Sequence, residues 1–141
     1  MSRHLVSLAI LVFMTASCAP ARDATDKKLE KACLAAVTAL ANEGTEIFPQ
    51  NTAYRYEKSD DGLDLRTVMI EARTSVNKGA YRVSSYLCSF EEKSGPFGLG
   101  YSAKFHHMEE SGMKYGNYKG EIHGDFNDLM KITNAMDGVL L

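Results

Sequence analysis

The stretch "TVMIEARTSVNKGAYRVSSYLCSFE", Thr67 to Glu91, decides the fold. Val68, Ile70, Ala72, Thr74 and Val76 alternate with Thr67, Glu71, Arg73 and Ser75, and that period of two puts the first set on one face of a strand. Asn77-Lys78-Gly79 is a turn by composition. A second strand, Ala80 to Glu91, follows with Tyr86, Cys88 and Phe90 on a shared face. A half-buried antiparallel hairpin of this kind needs a covering layer on its apolar side.

The cover is expected upstream, in "DKKLEKACLAAVTALANEG" from Asp26. Leu29, Cys33, Val37 and Leu40 recur at helical spacing, and Ala36 and Ala41 widen the face. Asp26 reads as the N-cap and Gly44 as the stop. Gly44 to Asn51 reads as a connection, and "TAYRYE" as a short strand through Tyr54 and Tyr56. "SDDGLD" is a turn. It lacks the twelve-residue ligand spacing and terminal glutamate of a calcium loop. Downstream, "KSGPFGLG" is a glycine-rich loop that displays Phe97. Leu99, Tyr101, Ala103, Phe105 and His107 then line one side of a further strand. Glu109 to Gly124 is glycine-spaced and leaves strand or loop open. Asp125 caps a second helix with Phe126, Leu129, Met130, Thr133 and Met136 on its apolar face, closed by Gly138. The expected fold is α+β: an N-terminal helix, an antiparallel meander of three to four strands, and a C-terminal helix, in a single domain from 26 to 141.

The chain opens with Met1-Ser2-Arg3-His4 and an apolar run from Leu5 to Ala16. As a helix that run covers about 18 Å, well short of a ~30 Å hydrocarbon core. A basic start, a short apolar middle and small residues after it form the pattern of a secretory signal peptide. Thr15-Ala16-Ser17-Cys18 resembles the lipobox of bacterial lipoproteins, with threonine where leucine is commonest. The resemblance covers the leader alone. It implies residues 1–17 as signal peptide, Cys18 as the lipid-bearing N-terminus, and 18–25 as a short tether. With Ala19 rather than aspartate after the cysteine, it also implies the periplasmic leaflet of an outer membrane. Ala19-Pro20-Ala21 offers the alternative, an A-x-A site that frees a soluble periplasmic protein beginning at Arg22.

Three cysteines are an odd number for an exported chain, and either cleavage accounts for Cys18. Cys33 and Cys88 remain, and an oxidising compartment is expected to join them. Their loop of about 56 residues gives roughly 4 kcal/mol in the chain-entropy picture. The bond also requires the Tyr86-Cys88-Phe90 face to meet the first helix.

The formal net charge is −2 and grows more negative once Arg3 is removed. No basic stripe or RNP-like aromatic motif is present, so nucleic acid is not an expected partner. Charge-driven docking on anionic lipid is not expected either. The glycines of "SGPFGLG" precede a strand rather than a helix N-terminus and match no phosphate-binding fingerprint. No G-x-S-x-G elbow surrounds Ser84-Ser85. Asp60-Asp61, Glu91-Glu92 and Glu109-Glu110 read as solvated strand ends rather than an acid/base pair.

His106, His107 and His123 are the alternative metal set. Strand alternation argues against it, since adjacent histidines should face opposite sides, His107 ending the core face and His106 in solvent. The expected protein has no metal, cofactor or catalytic residue. It is a non-enzymatic envelope lipoprotein that binds another protein, as inhibitor, immunity protein or assembly accessory, with Phe97 as a candidate contact. Two alternatives stand beside it. One is a small metal-dependent hydrolase. The other is a soluble periplasmic binder, either of a metal at those histidines or of a lipid or other small ligand on a tyrosine-lined sheet face.

Overall fold

A computed structural model describes residues 22–77, 79–96 and 100–141 of the chain. The leader, Cys18 and Phe97 lie outside the described residues. The order is α1 (Arg22–Leu40), β1 (Ile47–Lys58), β2 (Asp64–Asn77), β3 (Ala80–Lys93), β4 (Ser102–Glu110), β5 (Met113–Tyr118), β6 (Glu121–His123) and α2 (Phe126–Leu140). The strands form one antiparallel sheet in sequential order. The α+β architecture with a helix at each end stands, and the meander has six strands instead of three to four.

The added strands come from the segment left open between Glu109 and Gly124. Ser111 and Gly112 both have positive φ, as do Lys119 and Gly120. Each pair sits between register partners, Glu110 with Met113 and Tyr118 with Glu121. Two-residue turns with two positive φ values match the right-handed twist of the strands they join. Residue–glycine dipeptides were therefore the hairpin signal in this segment. β1 also begins at Ile47, inside the stretch read as a connection, with a register shift between Pro49 and Asn51.

Both helices cover one face of the sheet. Leu29, Ala32, Cys33, Ala36 and Val37 of α1 join Val68, Ile70, Ala72, Tyr86, Cys88, Phe90 and Met108 of the sheet in one core. Cys33 and Cys88 form a disulfide with Cα atoms 5.8 Å apart. α2 adds Ile132 and Met136. Its apolar face is rotated from the expected one, leaving Phe126 and Met130 exposed. It also continues past Gly138 to Leu140. The Asp125 side chain accepts from the backbone N–H of Asp128 at 2.9 Å, the cap read from sequence. At the other end the Lys28 ammonium donates to the Leu140 carbonyl at 2.6 Å, placing a cation at the negative end of the helix dipole.

α1 starts four residues before Asp26 and takes in residues 22–25 of the stretch read as tether. Asp26 is a buried ion-pair residue, not a cap. The Arg66 guanidinium donates to both its carboxylate oxygens, at 3.0 and 2.6 Å. Arg22, one helical turn earlier, lies 2.7 Å from the same carboxylate. Burial pushes the Asp26 carboxyl up, but the hydrogen bonds and charges of Arg66 and Arg22 outweigh it and hold it below its ordinary value. The ring of Tyr56 lies 4.3 Å from the Arg66 guanidinium carbon and closes the site from the β1 side.

Candidate functional site

With the helices on one side, the opposite face of the sheet carries no helix among the described residues, although Leu65, Thr67, Ser89 and His107 on it are buried. Register assigns it Phe48, Ala53, Arg55 and Glu57 of β1, Thr67, Met69 and Arg73 of β2, and Tyr81, Val83, Leu87 and Ser89 of β3. From β4 onward it carries His107, Glu109, Lys114, Tyr118 and His123. Two regions of this face are chemically distinct.

The first is apolar. Phe48 (43% exposed) of β1 and Tyr81 (51%) and Val83 (71%) of β3 flank Arg73 of the intervening β2. The rings of Phe48 and Tyr81 meet edge-on at 6.2 Å, and the Arg73 guanidinium stacks on Tyr81 at 4.6 Å. Val83 borders a shallow cleft of about 530 Å³ that reaches half-buried Met69 and Leu87.

The second region is built by a fault in the ladder. Phe90 pairs with Phe105 and Ser89 with His107, so His106 is an extra residue in β4. Such a β-bulge turns neighbouring side chains toward one side. The Nδ1 atoms of His106 and His107 are consequently 2.8 Å apart. This corrects the expectation that the two rings face opposite ways, with His107 on the core face. Met108 takes the core position opposite Cys88 instead.

Gly116 makes this packing possible. Its φ is +87°, and a Cβ there would stand 2.5 Å from the His106 carbonyl oxygen and 3.0 Å from the Phe105 ring. Only glycine both adopts that backbone and leaves room for the bulged strand. Tyr118 stacks edge-on against His107 at 5.4 Å and against His123 at 6.0 Å, so its ring separates those two histidines.

His107 is buried, and burial pushes its pKa down to about 4. The neighbouring His106 and Lys114 push the same way, while Glu57 opposes them. The imidazole is therefore neutral at neutral pH. Next to it, Thr67 Oγ1 and Ser89 Oγ share a hydrogen bond of 2.8 Å, and the Thr67 hydroxyl lies 3.3 Å from Glu57. Ser89 is fully buried, which removes it as a nucleophile. A cleft of about 160 Å³ opens beside the pair, lined by Glu57, Asp60, Asp61, His106, His107, Asn117 and Tyr118. His106 Nε2 and Asn117 Oδ1 are both buried and without a hydrogen-bond partner.

A larger cleft, about 840 Å³, lies on the helix side, between the C-terminal end of α1, the loop after it and the ends of β2 and β3. Its wall includes Arg82, Tyr86, Glu110 and Tyr115. Burial raises the Glu110 carboxyl above its ordinary value, against the opposing charge of Arg82.

No helix among the described residues is long and apolar enough to cross a membrane. Compared with protein-family models, with curated proteins and with solved structures, the chain matches none.

Proposed function

We propose that the protein is a membrane-anchored envelope lipoprotein that binds another envelope protein through the face of its sheet away from the helices. In this reading the leader is removed at Cys18, acyl chains on that residue hold the chain in the outer membrane facing the periplasm, and the domain acts without a cofactor. More than one acyl chain is needed for firm anchoring. Three residues separate Cys18 from the start of α1. Extended, they span roughly 10 Å, which keeps the domain against the bilayer.

The observation that supports a binding role is the exposed apolar cluster of Phe48, Tyr81 and Val83 on the sheet face away from the helices. Exposed apolar patches rimmed by polar groups mark interaction surfaces, and buried aromatic anchors dominate their energetics. The Arg73 guanidinium, exposed on the Tyr81 ring, fits a partner with an apolar segment next to a carboxylate.

Two measurements test this reading. The intact mass of the protein from native membranes should equal a chain beginning at Cys18 plus its acyl groups; a chain beginning at Arg22 overturns the anchor. Immobilised protein should retain an envelope protein that V83E, with an unchanged circular dichroism spectrum, loses at least tenfold. Retention equal in both forms, or none in either, overturns the binding face.

A second reading, a small polar ligand in the 840 Å³ cleft, is favoured by the cluster of Arg82, Glu110 and Tyr115 on its wall. Native mass spectrometry of freshly isolated protein checks it: bound material lost in E110A carries it, and ligand-free protein removes it.

A further inference from the structure

The bulge in β4 creates a donor pair that strand alternation would forbid. From it we infer that His106 and His107 form a binding site for a divalent transition-metal ion of tetragonal preference, Cu(II) above all, held through both Nδ1 atoms.

The separation of the two donors is the main argument. An ion with metal–nitrogen bonds of about 2.0 Å at right angles spans roughly 2.8 Å between neighbouring donors. The two Nδ1 atoms are 2.8 Å apart. A linear two-coordinate ion would need about 4 Å between them by the same bond length. A structural zinc site would need four protein ligands in a tetrahedron. Among the described residues no group of three or more His, Cys, Asp or Glu side chains stands close enough to hold an ion. Two nitrogens with the remaining positions left to water is an arrangement that Cu(II) accepts, and Cu(II) binds such donors more tightly than the other divalent first-row ions.

The surroundings fit a cation independently of that distance. The cleft beside the pair is lined by three carboxylates, Glu57, Asp60 and Asp61, against two ammonium groups, Lys58 and Lys119, and the excess of negative charge favours positive ions. Asn117 Oδ1, an acceptor buried in the same cleft without a donor, can accept from a metal-bound water. In the metal-free pair one ring donates its Nδ1–H to the other. On binding, that ring takes its Nε2–H tautomer through solvent exchange, and the two rings turn so that both Nδ1 lone pairs converge on the ion, with no net change in protons. His123 takes no part, because the Tyr118 ring stands between it and His107.

Disulfide-bonded protein, stripped with a chelator and dialysed, is titrated with Cu(II), Ni(II) and Zn(II) by calorimetry. The Cu(II) complex is then read by electron paramagnetic resonance. The expected result is one equivalent of Cu(II), an axial spectrum with splitting from two nitrogens, and weaker binding of Ni(II) and Zn(II). H106Q and H107Q should each weaken Cu(II) at least tenfold, and H123Q should leave it unchanged. Should H107Q fail to fold, H106Q decides, since its ring is the more exposed of the two. No stoichiometric binding, binding unaffected by H106Q, or binding lost in H123Q overturns the site.

Discussion

Asp26 shows how one residue type serves two structures. A short acid before an apolar period is the signature of a helix cap, yet this acid lies inside α1 and faces Arg66, forty residues away in sequence. Breaking a buried ion pair by removing one partner leaves the other charge uncompensated, at a cost of roughly 3–5 kcal/mol. D26N is expected near the lower end, because its amide still accepts one hydrogen bond; urea unfolding checks it. The carboxyl is held below its ordinary value, so the unfolded chain takes up its proton first as pH falls. The stabilisation is complete above the unfolded value, and it is lost as pH drops through the folded one.

His107 acts in a different window. Its unfolded form titrates near 6.5 and its folded form near 4, so between those values the unfolded state binds the extra proton. With a chelator present, the urea midpoint should hold above about pH 6.5, fall as pH drops toward about 4, and lose nothing further from this group below that. H107Q should flatten that fall; an equal slope in wild type and variant would contradict the burial argument.

At the scale of elements, the six-stranded meander depends on turns and on one close approach. Gly112 and Gly120 have positive φ, with open space where a Cβ would point. Substitution there meets only backbone strain, about 1–2 kcal/mol for a left-handed residue. Gly116 has the same conformational demand and, in addition, the His106 carbonyl 2.5 Å from a prospective Cβ. G116A should therefore lower stability by clearly more than G120A in thermal unfolding. It should also disturb the histidine pair, visible as altered imidazole chemical shifts for His106 and His107. The same comparison explains why the bulge escaped a reading from periodicity. A two-residue alternation assumes an unbroken ladder, and the extra residue in β4 shows only against the register of β3.

For the molecule as a whole, a disulfide ties the helix layer covalently to the centre of the sheet. The disulfide joins residues 55 apart in sequence. A loop of that length corresponds to roughly 4 kcal/mol of denatured-state entropy. Reduction, or the C33A/C88A double variant, should lower the unfolding free energy obtained from urea titration by that order, with C33A alone nearly as costly as the pair. A change below about 1 kcal/mol would mean that core contacts alone hold α1. The layering also separates two surfaces. Substitutions of Phe48 or Val83 should alter binding without changing stability much, while Leu29 or Phe90 changed to alanine should cost about 2–5 kcal/mol.

The amino-acid sequence by itself determined the helix faces of α1, the alternation in β2 and β3, the turn at 59–63, the cap of α2 and the cysteine pairing. Those features follow from local periodicity, turn chemistry and the number of sulfurs, none of which needs a third dimension. Tertiary structure alone decided that Asp26 meets Arg66, that α2 presents Ile132 and Met136 to the core, and that His106 and His107 lie side by side. Each of these depends on which residues stand opposite one another across strands and layers. A single inserted residue moves that register by one position, and one position reverses the face of every side chain beyond it.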